Sequence, residues 1–503
     1  AKSDLYTTAT TTMNKKTLNE DTMFQQLRAM EYAVRGKVVI AADVIHDELV
    51  KNKNSNSKYP FDHIVYTNIG NPQSVGQKPL TWPRQVLALV DLPDAVGVHH
   101  PLAEQMFPKD AIQRAIEIKT CLGCGDGSSG AYSHSQGNIC FRQDIAKFIE
   151  DRDGGVPCNP DDLFITNGAS AAIGYVLHAL IANNKCGTMI PIPQYPIYSA
   201  TLDLLGGHKV GYMLNEKQGW DCTMEQLEKS LQDAKDQGIN VNSFVLINPG
   251  NPTGQVLPKE SVRDIVRFCA KHNLVLLSDE VYQENVYDEN AEFYSCKRAA
   301  FDTGLLERDA IELFSFHSTS KGVFGECGRR GGYMELTGID KGVHDQLYKL
   351  ASASLCSTVS GQIMTSLMVR GPEPGDESYE SHEAEKAAVF ESLKRRAKIV
   401  SDGLNNIDGF ACQPAQGSMY CFPSVQIPPK AIEEAQRQGV TPDTMYCVSL
   451  LQKTGVCVVP ASGFGQEEGR YGFRTTFLPS EEEMQRVVQQ IQEHHEEFVA
   501  KYV

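Results

Sequence analysis

Apolar residues in this chain gather into short runs separated by amphipathic stretches. Leu163-Phe164-Ile165-Thr166, Phe244-Val245-Leu246-Ile247, Leu274-Val275-Leu276-Leu277 and Ile311-Glu312-Leu313-Phe314-Ser315-Phe316 read as buried strands. Met189-Ile190 and Val210 to Leu214 add shorter ones. Helical spacing covers Asp110 to Ile118, Ser170 to Asn183, Glu225 to Gln237 and Lys259 to Lys271. Strand and helix alternate from about residue 160 to 340, which predicts a mostly parallel sheet with helices on both faces.

Gly371-Pro372-Glu373-Pro374-Gly375-Asp376 breaks this pattern. A long charged helix follows, about Ser381 to Asn406. Short strands at Ser418 to Phe422, Val456 to Val459 and Tyr471 to Phe477 then alternate with helices. The last helix runs from Ser480, read as its N-cap, to about Lys501. This end is expected to be a smaller α+β domain. The expected division is a flexible tail at 1–21, an N-terminal segment at 22–100 packing on the small domain, a large domain at 101–375 and the small domain at 376–503.

The chain has 503 residues, 41% of them apolar, which is enough for a large core and argues against general disorder. The formal net charge of -16 gives no electrostatic footprint for nucleic acid. No apolar run approaches the length of a membrane span, and Ala1 to Glu20 lacks the apolar centre of a secretory signal. That stretch reads as a tail or the remnant of a trimmed transit peptide. The 14 cysteines are irregularly spaced, so reduced thiols in an intracellular compartment are expected, cytoplasm or mitochondrial matrix. Cys121-Leu122-Gly123-Cys124 has no second pair to complete a zinc site, and no metal is expected.

Three of the strands run into polar residues suited to a cofactor. The first ends in Ser318-Thr319-Ser320-Lys321-Gly322, with Gly325, Gly328, Arg329, Arg330, Gly331, Gly332 and Tyr333 beyond. A lysine amine can condense with a carbonyl cofactor, while serines and an arginine hold its phosphate; pyridoxal 5'-phosphate has both handles. The second runs into Asn248-Pro249-Gly250-Asn251-Pro252-Thr253-Gly254, the third into Ser278-Asp279-Glu280-Val281-Tyr282. Strand C-terminal ends are where open α/β sheets bind ligands.

Each residue also has a plainer reading. Asp279 is either a helix cap or a carboxylate that keeps a pyridine nitrogen protonated. Asn251 is a turn residue or a partner of the ring's phenolate oxygen, which Tyr282 also suits. Asn167-Gly168-Ala169-Ser170 is a tight turn or a phosphate-binding helix start. Tyr195 packs, or stacks on a flat ring. Arg474, inside an apolar strand, needs either an internal salt bridge or a substrate carboxylate. Gly125-x-Gly127-x-x-Gly130 matches a dinucleotide fingerprint, but it follows a helix and precedes a loop, so a nicotinamide site is not expected.

Taken together these residues resemble the fold-type I pyridoxal-phosphate aminotransferases, and within them the alanine aminotransferases. The stretches that carry the resemblance are Glu31-Tyr32-Ala33-Val34-Arg35-Gly36, Asn68-Ile69-Gly70-Asn71-Pro72-Gln73-Ser74, Tyr132-Ser133-His134-Ser135-Gln136-Gly137, Pro191 to Tyr198, Asn248 to Gln255, Ser278 to Asn285 and Gly325 to Tyr333. The resemblance implies a seven-stranded, mostly parallel sheet between helices, with a smaller α+β domain built from both ends of the chain. It implies that Lys321 is the Schiff-base lysine and proton shuttle, that Asp279 pairs with the pyridine nitrogen, and that Asn251 and Tyr282 bind the phenolate oxygen. Tyr195 stacks on the ring; Ala169, Ser170, Ser318, Ser320 and Arg330 bind phosphate. Arg474, Gly70 and Asn251 bind substrate. Tyr132 reaches the phosphate of the neighbouring subunit, so a homodimer is implied.

The implied reaction is ping-pong transfer from L-alanine to 2-oxoglutarate, giving pyruvate and L-glutamate. The alternatives are a glutamate:glyoxylate aminotransferase and a lyase using the same cofactor. The ending Lys501-Tyr502-Val503 differs from a peroxisomal Ser-Lys-Leu signal, which weighs against the first. A DNA-binding regulator on the same fold is not expected, because Ala1 to Asn54 shows no basic helix-turn-helix pattern.

Overall fold

A computed structural model describes residues 16–32, 36–51, 58–123 and 129–502. Its strands are β1 (Val65–Tyr66), β2 (Leu163–Ile165), β3 (Cys186–Ile192), β4 (His208–Met213), β5 (Asn240–Ile247), β6 (Val275–Asp279), β7 (Leu313–Ser318) and β8 (Gly332–Thr337). Toward the C-terminus follow β9 (Phe410–Ala411), β10 (Tyr420–Cys421), β11 (Ser424–Val425), β12 (Val456–Cys457), β13 (Val459–Pro460) and β14 (Phe473–Thr476).

Seven strands form one sheet in the order β2-β8-β7-β6-β5-β3-β4. All neighbouring pairs are parallel except those made by β8, which runs antiparallel to β2 and β7. Successive residues of β5 supply opposite faces. Phe244 and Leu246 pack with Val262, Ile265 and Val266 of the helix Lys259–His272. Val245 and Ile247 pack with Ile173, Val176 and Leu177 of the helix Ala169–Leu180. A sheet covered on both faces needs strands that are apolar throughout, which is why these runs lack a polar alternation.

The antiparallel strand β8 was not visible as a strand in the sequence. Its centre is Glu335, a residue type depleted in strands. The structure buries Glu335 in an ion pair with Lys297 from the helix Cys296–Asp302, both side chains below 5% exposed. Cys121, near the end of the helix Lys109–Leu122, and Cys140, in the first turn of Ile139–Arg152, lie side by side with Cα atoms 6.4 Å apart. Spacing along the chain carried no sign that these helices meet. Cys124, Gly125 and Gly127 lie outside the described residues, as do Ala33, Val34 and Arg35.

The two ends of the chain meet. β1 pairs in parallel with β12, Val65 opposite Val456. The helix Lys37–Lys51 buries Val38, Ala42 and Ile45 in the same core as Leu393, Leu450 and Phe473. The helix Thr81–Asp91 instead places Val86 and Leu89 with Ile118, Ile145 and Leu163, beside the large sheet. Antiparallel β14 lies between β10 and β13, which puts Arg474 opposite Val459. The long helix Tyr379–Asn405 and the closing helix Glu481–Tyr502 cover this end, the latter with the Ser480 hydroxyl accepting from the Glu483 N–H.

Candidate active site

The C-terminal ends of β6 and β7 deliver Asp279 and Ser318, and the turn after β7 delivers Ser320 and Lys321. The loop after β5 delivers Asn251. They open into one cavity of about 210 Å³, together with Gly70, Ala169, Ser170, Tyr195, Tyr282, Arg330 and Arg474. Tyr132 is the sequence-predicted residue that does not reach this cavity; it is 77% exposed. A larger cleft of about 770 Å³ gathers Asp161, Asp162, Asp309, Glu312 and Asp340. Its chemistry is that of a solvated acidic surface, so size does not locate the site.

One end of the cavity suits a phosphate. The helix Ala169–Leu180 starts there, and the first N–H groups of a helix have no intrahelical acceptor. Gly168 precedes it at φ +75°, and a Cβ there would lie 2.6 Å from an Arg330 guanidinium nitrogen. Arg330 itself holds a left-handed backbone, φ +58°, and donates to the carbonyls of Cys327 at 2.8 Å and Asn167 at 2.9 Å. The guanidinium is thereby fixed beside the helix start. Ser318 and Ser320 are buried, and the Ser318 hydroxyl accepts from the Ser320 N–H at 3.0 Å.

Deeper in, Asp279 is buried and its Oδ2 accepts from the Tyr198 hydroxyl at 3.0 Å. Burial pushes its carboxyl up to about 6, against the pull of the Tyr198 hydroxyl, the Val281 N–H and the Lys321 charge. Lys321 donates its amine to the Gly70 carbonyl at 2.7 Å. Tyr195 lines one wall, its hydroxyl 3.2 Å from that of Tyr32.

The far end suits a carboxylate. Arg474 is 1% exposed and donates to Asn251 Oδ1 at 3.0 Å and to the Asn68 carbonyl at 2.5 Å. Its Nε has no hydrogen-bond partner among the described residues. Its guanidinium lies 4.1 Å from the ring centre of Tyr420 and 4.7 Å from that of Phe464. The arginine has no carboxylate partner among these contacts, so an internal salt bridge does not account for it.

Sequence reasoning missed Tyr198, Tyr32 and Tyr420. Tyr198 stands three residues from Tyr195, one helical turn on, and that spacing was a usable signal. Tyr420 arrives from β10, far along the chain, and nothing local marks it. Asn71 and Cys327 also line the cavity, the Cys327 thiol donating to Asn71 Oδ1 at 3.1 Å.

The parallel sheet and a lysine-centred cavity at its strand ends define an open α/β enzyme with an anion cradle at each end of the site. Residues 100–491 match the model of the family "Aminotransferase class I and II", and the chain belongs to that family. It is an aminotransferase. Proteins of this family are in general pyridoxal-phosphate dependent. The chain is 48% identical to a protein of Dictyostelium discoideum named "Probable alanine aminotransferase, mitochondrial", over 97% of this chain and 91% of that one. It is 43% identical to "Glutamate--glyoxylate aminotransferase 2" of Arabidopsis thaliana, over 97% of this chain and 98% of that one. A solved alanine aminotransferase of Pyrococcus furiosus shares the fold, with TM-score 0.71 at 22% identity, over 94% of this chain and 100% of that one. No helix among the described residues is long and apolar enough to cross a membrane.

Proposed function

We propose that this chain is a pyridoxal-phosphate-dependent alanine aminotransferase, converting L-alanine and 2-oxoglutarate to pyruvate and L-glutamate. The observation that carries this is the convergence of the Lys321 amine, the buried Asp279, the Arg330 cradle and the Arg474 guanidinium on one cavity. Their donor set fits the cofactor: a cationic cradle for its phosphate and a buried carboxylate for its ring nitrogen. When bound, the group supplies a carbonyl for amine exchange and a ring that takes up the electron pair left when the substrate Cα loses its proton.

The chain's own residues do the rest. Ala169, Ser170, Ser318, Ser320 and Arg330 hold phosphate. Asp279, ionised above about pH 6, keeps a proton on the ring nitrogen. The Asn251 amide nitrogen is a donor for the phenolate oxygen, since Asn251 Oδ1 is engaged by Arg474, and the Tyr282 hydroxyl, which donates to Tyr420 at 3.3 Å in the chain alone, would turn to that oxygen when the cofactor binds. Tyr195 stacks on the ring. Arg474, with Gly70 and Asn251 beside it, orients the α-carboxylate. Lys321 would take the Cα proton and give it back to the carbon on the other side of the substrate nitrogen, as general base and then general acid. Tyr132, exposed on the single chain, serves the phosphate of a second copy, so the working unit is a homodimer.

Residues 101–375 carry the phosphate cradle in this reading. The C-terminal unit, 376–503, supplies Arg474, and the segment 22–100 supplies Gly70. The compartment is the cytoplasm or the mitochondrial matrix. A second reading, transfer from glutamate to glyoxylate, is favoured by the 43% identity to a protein bearing that name.

The test is the visible spectrum of the purified protein loaded with pyridoxal phosphate, before and after L-alanine without oxo acid. Fading of the yellow band with one pyruvate per site is expected. A faster second half-reaction with glyoxylate than with 2-oxoglutarate would select the second reading. A protein that cannot be loaded would overturn the assignment of Lys321.

A further inference from the structure

Around the turn that closes β6, side chains take two directions. Asp279 and Tyr282 line the cavity, whereas Glu280 and Gln283 do not. The latter two meet one guanidinium, that of Arg152, the last residue of the helix Ile139–Arg152. Arg152 Nη1 donates to Glu280 Oε2 at 3.2 Å and to Gln283 Oε1 at 3.0 Å. Its Nε and Nη2 donate to Asp153 Oδ1 and Oδ2 at 2.9 and 2.7 Å, a two-point fork that fixes the plane of the group. Asp153 is anchored in turn, its Oδ1 accepting from the Ser295 hydroxyl at 2.8 Å. The Phe293 ring centre lies 5.8 Å from the guanidinium carbon.

Backbone bonds set the path of the turn. The Glu280 N–H donates to the Phe316 carbonyl of β7 at 3.0 Å, the Gln283 N–H to the Glu280 carbonyl at 3.1 Å, and the Asn285 N–H to the Tyr282 carbonyl at 2.8 Å. Glu280 Oε1 accepts from the Ser278 hydroxyl at 2.9 Å and the Cys296 N–H at 3.1 Å. Glu280 follows Asp279, and Gln283 follows Tyr282. Holding residues 280 and 283 on the outer side therefore aims residues 279 and 282 inward. We propose that Arg152 is a positioning residue that sets the aim of Asp279 and Tyr282 at the bound cofactor from behind the cavity, an inference that rests on the function proposed above.

The energetics favour a geometric role over a stabilising one. The Asp153 and Glu280 side chains are 2% exposed and that of Arg152 is 12% exposed. Taking these charges out of water is costly, and apolar residues of similar volume would pack the space without that cost. Burial pushes the Glu280 carboxyl up to about 7, while the Arg152 charge pulls it back. What the ions supply is direction, because a guanidinium bonds only along the N–H directions of one plane and an apolar contact has no such constraint. Groups that act on a cofactor ring need that precision, and their own supports supply it. Arg152, Glu280 and Gln283 all lie outside the cavity lining, so a cofactor that fills the cavity leaves their bonds in place.

The experiment compares the wild-type chain with Arg152→Lys, which keeps the charge and loses the fork, and Gln283→Met, which keeps the volume and loses the tie beside Tyr282. Backbone hydrogen exchange, read without cofactor, is expected to speed about tenfold at residues 280–285 in both variants and to stay unchanged in β7 at 313–318. Both variants still load pyridoxal phosphate, since the cradle of Ser318, Ser320 and Arg330 is untouched. In the loaded enzyme kcat for L-alanine falls about 10- to 100-fold while KM changes less than about twofold, because ring alignment is lost and the Arg474 contact is kept. Unchanged exchange at 280–285, or an unchanged kcat, would overturn the proposal. So would exchange that speeds across the whole chain with kcat unaltered in the folded fraction, since Arg152 then only stabilises the fold. If Arg152→Lys fails to fold, Gln283→Met gives the same readings. A wild-type chain with no alanine half-reaction sinks the functional reading instead, and the exchange pattern, which needs no cofactor, separates the two failures.

Discussion

Asp279 and Tyr198 form a buried pair, the phenol donating to Oδ2 at 3.0 Å, with no basic side chain bonded to the carboxylate. A hydrogen bond to the charged form favours that form. Tyr198→Phe removes it, so the Asp279 carboxyl rises further above about 6. A charge-assisted hydrogen bond is worth about 1.5–3 kcal/mol, or about 10- to 100-fold. The expected result is a loss of that order in kcat/KM at neutral pH, with the acid limb of the profile displaced upward. An unmoved acid limb would show that Tyr198 only packs.

Asp279 itself is held at a cost to folding. Its carboxyl is raised from 3.8 to about 6. The folded chain therefore binds this proton more tightly than the unfolded chain, and the group's contribution to stability is lost as pH rises through that window. Two units correspond to about 3 kcal/mol. Without cofactor, Asp279→Asn is expected to melt higher than the wild type at pH 7, with the difference shrinking toward pH 4. Catalysis should fall at least about 100-fold in the same variant. A variant less stable at pH 7 would show that the burial cost is met elsewhere.

Arg474→Lys keeps the charge but loses the planar fork that now donates to Asn251 and the Asn68 carbonyl. Both half-reactions use an α-carboxylate, so kcat/KM should fall by a similar factor, about 100-fold, for L-alanine and for the oxo acid. A loss confined to one substrate would move the carboxylate contact away from Arg474.

Much of this site was legible because its chemistry sits where apolar runs stop. Lys321, Asp279 and Asn251 each follow a continuous buried strand, and a break from apolar to polar is a local signal. Arg474 was legible for the converse reason, a charge inside an apolar strand. Tyr420 and Tyr198 were not legible, because a tyrosine in an apolar setting is ordinary packing until its hydroxyl's neighbours are known. The strand β8 was hidden for an energetic reason. Its polar centre, Glu335, finds its cation on a helix distant in the chain, and such pairing leaves no periodic trace.

That hidden pair gives the last prediction. Lys297 and Glu335 are both nearly fully buried. Removing one partner of a buried ion pair leaves an uncompensated charge and costs about 3–5 kcal/mol, whereas replacing both by apolar residues of similar volume is often neutral or stabilising. Lys297→Met alone should therefore lower the unfolding free energy by that amount, and Lys297→Met with Glu335→Leu should recover most of it. Denaturant unfolding of the single variants and the double variant measures the difference directly. Glu335 faces Ser315 across the β7–β8 ladder, three residues before Ser318 in the cradle. If the double variant regains stability yet loses cofactor affinity, the pair serves to set the register of β8 against β7 beneath the phosphate site. If it regains both, the pair is only a tolerated polar interruption of the sheet.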